Sequence, residues 1–114
     1  LNFPNRSKCS FGAIDWAELS RLDFEKPDRD LFRCLDLAYQ AGRVGGTAPA
    51  WLSAANEVAV ETFLAGGVKW TQIATIIEST MQHHDGQIPT SVEDIFEADR
   101  RARAVAHQVK ESQV

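Results

Sequence analysis

The sequence predicts a mainly α protein, a small four-helix bundle preceded by an extended connecting arm. Two observations carry this. From Asp28 onward, apolar residues recur at helical spacing in four blocks bounded by glycine or proline. Before Asp28, no helical period is sustained. The chain's 114 residues, 44% hydrophobic and 25% charged, are enough for one domain that buries a core without disulfides or metal.

Residues 1–27 form the predicted arm. They hold Pro4, Gly12 and Pro27, and the short alternations Ile14-Asp15-Trp16 and Leu22-Asp23-Phe24 suit extended pieces. Asp15 to Leu19 could close a single helical turn. Residues 28–114 form the predicted bundle. Its first helix is expected to start near Asp28, with Leu31, Leu35, Ala38 and Tyr39 on one face. Gly42 or the Gly45-Gly46 pair ends it. The second helix starts around Thr47 with Pro49 in its first turn. Leu52, Ala55, Ala59 and Phe63 line one face, and Val58, Val60 and Leu64 widen it. This helix should therefore be the most buried, and Gly66-Gly67 stops it. Thr71 caps the third helix, which carries Ile73, Ile76, Ile77, Thr80 and Met81 on one face. The fourth starts at Thr90-Ser91-Val92-Glu93-Asp94, where Thr90 to Glu93 and Ser91 to Asp94 both have capping-box spacing. Its stripe is Val92, Ile95, Phe96, Ala102, Ala106 and Val109. Glu97–Arg101 and Asp99–Arg103 are the expected ion pairs one turn apart.

A net charge of −4 gives no reason to expect a nucleic-acid partner. Arg100, Arg101 and Arg103 alternate with Glu97 and Asp99, as on a solvated helix face. No apolar run is long enough to cross a bilayer. Leu1-Asn2-Phe3-Pro4-Asn5-Arg6 lacks the apolar stretch of a signal peptide and an initiator methionine, which predicts a processed, truncated or excised chain. Cys9 and Cys34 fit neither a disulfide framework nor a zinc site, and read as reduced thiols in a cytoplasmic protein.

Few residues suggest chemistry. His83-His84-Asp85 resembles a metal cluster, but neighbouring histidines on a helix point about 100° apart and lack further ligands. Two cations near a helix C-terminus also suit its dipole. Gly42-Arg43-Val44-Gly45-Gly46 follows a helix, whereas a phosphate loop follows a strand, so a helix cap with a flexible turn is expected. Asn56 and Glu57 interrupt the apolar second helix. Asn56 lies one turn from Leu52 and Val60, so partial burial is expected, and a buried amide needs hydrogen-bond partners. Structural bonding to a neighbouring loop or domain is favoured over chemistry, because no base or nucleophile stands nearby. Cys9 and Cys34 have no evident histidine partner.

Three stretches in order resemble the C-terminal portion of the 1-deoxy-D-xylulose 5-phosphate reductoisomerase family. The first runs from Leu1-Asn2-Phe3-Pro4-Asn5-Arg6 through Ile14-Asp15-Trp16 to Leu22-Asp23-Phe24-Glu25-Lys26-Pro27-Asp28. The second is Phe32-Arg33-Cys34-Leu35-Asp36-Leu37-Ala38. The third is Ser53-Ala54-Ala55-Asn56-Glu57-Val58-Ala59-Val60, continuing to Phe63-Leu64-Ala65-Gly66. Val92-Glu93-Asp94-Ile95 fits the same pattern. The family commonly has Asn where Ser53 stands, a change expected to alter local hydrogen bonding only.

The resemblance implies an enzyme whose N-terminal Rossmann domain binds NADPH. Its central domain would supply acidic ligands for a divalent metal, Mg or Mn, and groups that hold substrate phosphate. The family converts 1-deoxy-D-xylulose 5-phosphate to 2-C-methyl-D-erythritol 4-phosphate in isoprenoid biosynthesis. Those residues would precede Leu1, so no catalytic, cofactor-binding or metal-binding residue is expected within this chain. Residues 1–27 would run from the catalytic domain to the bundle, and the bundle would support that domain, in an enzyme expected to be a homodimer. The competing reading is an autonomous helical protein-interaction module that grips a partner through Trp16, Trp51 or Trp70. A standalone enzyme built on His83, His84 and Asp85 is a third.

Overall fold

The computed structural model describes residues 3–5, 7, 8 and 10–113, with the side chain of Gln113 left aside. Its helices are α1 (Arg33–Val44), α2 (Ala48–Leu64), α3 (Gln72–Met81) and α4 (Val92–Gln113). No strand occurs among the described residues. The mainly α class and the four-helix order are as the sequence predicts.

Helix α2 is central: it packs against all three other helices and has more buried residues than α1 or α3. One core cluster joins Leu37 of α1, Ala55 and Ala59 of α2, and Ile76 and Ile77 of α3. A second joins Trp51 and Ala54 of α2 to Ala98 and Ala102 of α4. Alanines on both sides let α2 and α4 approach closely around the Trp51 ring, so the sheltered surface is small-residue on large-residue.

Three expectations about the helices need correction. The first helix starts at Arg33, five residues after Asp28. The Asp28 carboxylate instead accepts from the Asp30 and Leu31 N–H groups, and the Phe32 N–H bonds the Asp28 carbonyl. This closes a separate turn, which Phe32 ends by leaving helical geometry (ψ 63°). Secondly, α1 buries Leu37 and Ala41, while Leu31 and Tyr39 are exposed. The helix carries two apolar stripes one residue apart, and periodicity alone does not say which meets the core. Thirdly, the expected α4 stripe holds at Ala102 and Ala106, joined by Ala98, but fails at the helix start, where Val92 and Phe96 are 64% and 71% exposed.

The ends of the helices follow local chemistry. Gly45 and Gly46 terminate α1 with positive φ, and Gly42 stays helical. Gly46 also lies against the next connection: a Cβ there would sit 2.6 Å from the Gln87 carbonyl oxygen. That carbonyl accepts from the Thr47 N–H and the Thr47 hydroxyl. The α1–α2 turn and the α3–α4 connection are thus joined through backbone. At α4, Ser91 and Asp94 form the capping box: Asp94 N–H donates to Ser91 Oγ, and the Asp94 carboxylate accepts from Ser91 N–H. Thr90 gives both its N–H and its hydroxyl to the same carboxylate, so the Thr90–Glu93 alternative is not used. Thr71 makes no side-chain cap on α3.

Before α1 the described residues form no helix longer than a turn, which Asp15 and Leu19 close as expected. Phe3, Phe11, Trp16, Leu22 and Phe24 of this segment are exposed.

Candidate domain interface

The charged residues that interrupt α2 and α4 converge. Arg103 of α4 donates through Nε to Asp99 Oδ2 at 2.7 Å, one turn earlier on the same helix. Its Nη2 donates to Glu57 Oε2 of α2 at 2.6 Å and to Asp99 Oδ1 at 3.2 Å. The guanidinium fork thereby spans two carboxylates on two helices, and hydrogen bonding to Asp99 and then Glu57 raises its pKa further above the usual arginine range. The Asp99–Arg103 pair predicted from spacing forms. The Glu97–Arg101 pair does not: Glu97 bonds Arg100, and Arg101 bonds Asp85. Asn56 is exposed, contrary to the expectation of partial burial, because α2 turns Ala54, Ala55, Val58 and Ala59 to the core on either side of it. Ser53 is exposed as well. Ser53, Asn56 and Glu57 therefore lie on the outer surface of α2, and Glu57 is tied to α4.

His83, His84 and Asp85 diverge. His83 Nδ1 donates to the Ser79 carbonyl at 2.9 Å. The Thr47 hydroxyl spends its one proton on the Gln87 carbonyl at 3.1 Å, so it accepts from His84 Nε2 at 2.9 Å. The His84 and Trp51 rings meet at a steep angle of 71°, with centroids 5.7 Å apart. Asp85 pairs with Arg101 at 2.9 Å, and that bond holds its carboxyl below the usual range. These contacts tie the end of α3 to α2 and α4. Among the described residues, no group of three His, Cys, Asp or Glu is placed to hold a metal ion.

Cys34 is an exposed free thiol, and partial desolvation pushes its pKa up, which disfavours a reactive thiolate. Cys9 lies outside the described residues. Trp51 is buried and cannot grip a partner, whereas Trp16 and Trp70 are exposed. Trp70 lines a groove of about 540 Å³ with Leu31, Phe32, Cys34 and Ile73, beside the Arg33–Glu78 ion pair. This groove was not legible in the sequence, because it forms between the turn before α1 and the start of α3, segments nearly forty residues apart.

The chain is similar to known proteins over nearly its whole length. A family model described as the DXP reductoisomerase C-terminal domain matches residues 1–105. The 1-deoxy-D-xylulose 5-phosphate reductoisomerase of Chloroherpeton thalassium is 47% identical over 103 residues, covering 90% of this chain and 27% of that protein. The enzyme of the same name from Stutzerimonas stutzeri is 49% identical over 109 residues, covering 95% of this chain and 27% of that protein. Among solved structures, 1-deoxy-D-xylulose 5-phosphate reductoisomerase from Zymomonas mobilis in complex with NADPH matches with a TM-score of 0.83 at 38% identity. That match covers 96% of this chain and 29% of the other. The chain thus spans little more than a quarter of the length of the relatives it matches.

Proposed function

The chain belongs to the DXP reductoisomerase C-terminal domain family, and on that premise we propose that it serves as the structural C-terminal domain of a reductoisomerase. The full-length enzyme would convert 1-deoxy-D-xylulose 5-phosphate to 2-C-methyl-D-erythritol 4-phosphate with NADPH and a divalent metal, in the cytoplasm and as a homodimer. In this reading residues 1–27 are the connecting arm, residues 28–114 the bundle, and the isolated chain has no turnover. The observation that carries it is the family match over nearly the whole chain, at 47–49% identity to relatives that bear this activity in their names.

Neither of the two segments that resemble a cofactor site has the geometry of one. His83, His84 and Asp85 point to three different partners, and the Gly42–Gly46 segment closes a helix instead of opening one. In this reading NADPH and the metal are held by the remainder of the enzyme. What these residues do is hold shape: Trp51, the alanines of α2 and α4, and the Arg103 network fix one helix surface against another. Autonomous partner binding is less well supported: Trp51 is in the core, and although Trp16 and Trp70 are exposed, the family match spans residues 1–105.

A chimera tests the proposal. This chain replaces the matching C-terminal residues of the Stutzerimonas stutzeri relative, and NADPH oxidation is followed with substrate and Mg. The chimera is expected to turn over, and the 114-residue chain alone is not. Turnover by the chain alone, or a folded chimera without activity, overturns the reading.

A further inference from the structure

Helix α4 has an inverted distribution of size. It buries Ala98, Ala102 and Ala106 completely and presents its largest apolar side chain, Phe96, to solvent at 71% exposure. Val92, one turn earlier, is 64% exposed, and Ile88, just before the helix, is 78% exposed. Positions 92, 96, 99 and 103 follow the spacing of a single helical stripe, so the apolar pair runs into Asp99 and Arg103. Arg103 continues the surface to Glu57 on α2, beside exposed Asn56 and Ser53. Single exposed apolar residues need no explanation, but an aligned pair at the head of a satisfied polar network has the anatomy of an interface: an apolar anchor with a polar rim.

We infer that the flank of α4 formed by Val92, Phe96, Asp99 and Arg103, continued by Glu57 and Asn56 of α2, is the surface on which the NADPH-binding and metal-binding remainder of the enzyme docks. The inference rests on the function proposed above. Two observations select this occupant. The relatives carry nearly three quarters of their length outside the region matched here, which supplies a partner within the same chain. A second copy fits poorly, because Glu93 and Asp94 flank the apolar pair, Arg100 is already spent on Glu97, and two such surfaces would set the remaining carboxylates together. Phe96 is the anchor. The Arg103 network already has its hydrogen bonds, so it positions the rim without requiring a partner group.

The test uses Phe96→Asp and Val92→Ser in both the 114-residue chain and the chimera. Hydroxyl-radical oxidation of Phe96 is expected to be several-fold slower in the chimera than in the chain alone. Phe96→Asp should leave the thermal midpoint of the chain alone unchanged, and should lower that of the chimera together with its activity. Val92→Ser should do the same more weakly. Equal oxidation of Phe96 in both proteins, or an unaffected chimera, overturns the inference while the active chimera leaves the function standing. A folded but inactive wild-type chimera overturns both. If Phe96→Asp and Val92→Ser each destabilise the chain alone, the two residues belong to the bundle and the inference fails. Sedimentation that shows the chain dimerising, and Phe96→Asp abolishing the dimer, makes a second copy the occupant and also overturns it.

Discussion

Arg103 and Glu57 lie 46 positions apart in sequence and meet at 2.6 Å, the one ion pair that links α2 directly to α4 among the described residues. Both side chains are partly open to solvent, at 35% and 53%, so the bond is a modest clamp placed over a core that alanines and Trp51 already close.

Arg103→Ala should therefore cost about 1 kcal/mol, since it leaves Asp99 and Glu57 facing each other without the cation between them. A double-mutant cycle with Glu57→Gln should return a coupling of roughly 0.5 kcal/mol by urea denaturation, shrinking in about 1 M salt. A coupling of zero at low salt would show that the crossing bond does not hold the helices.

Gly46→Ala should be far more damaging than Gly66→Ala. Both glycines have positive φ, but a methyl group at Gly46 meets the Gln87 carbonyl at 2.6 Å, while Gly66 has open space. The Gly66 change should cost about 1 kcal/mol from backbone strain alone, and the Gly46 change on the order of 3 kcal/mol. Thermal unfolding of the two variants decides the matter, and equal losses would refute the close approach.

The start of α4 should be sensitive to acid. Ser91→Ala removes the cap on the Asp94 N–H and should cost about 1 kcal/mol. Hydrogen bonds from Thr90 and then Ser91 hold the Asp94 pKa below its ordinary value. A folded-state value below the unfolded one means the contribution is complete above the ordinary carboxylate value of about 3.9 and is lost as pH falls through the depressed value. The stability difference between wild type and Asp94→Asn should thus be constant near neutrality and narrow below pH of about 4. A difference that widens with acid contradicts the assignment.

Local signals were the legible ones. The capping residues Ser91 and Asp94, the Gly45-Gly46 stop and the isoleucine face of α3 depend on neighbours a turn away, and each appears in the fold as read. The misreadings depended on tertiary choice. Leu37 and Ala41 face the core of α1 in place of Leu35, Ala38 and Tyr39, because both stripes satisfy the same period and only packing against Ala55, Ala59 and Ile76 selects one. Arg101 turned to Asp85, sixteen residues away, instead of Glu97 one turn back. Asn56 looked buried because its neighbours at i ± 4 are apolar, yet the buried arc of α2 passes beside it. The candidate interface is visible only in part: Glu57 and Asn56 stand out as polar breaks, whereas Phe96 shares the period of the buried Ala102 and Ala106 and only packing turns it outward.

The Gln87 carbonyl, shared by the Thr47 N–H and hydroxyl and pressed against Gly46, has a practical consequence. It welds two connections at one end of the bundle into a single knot, so a reporter inserted into either would disturb both. The opposite end, where α2 gives way to α3 around exposed Ala65 and Gly66, carries no such stitch. That turn is the natural site for a fluorescent label or an affinity tag, leaving the α4 flank free to be read.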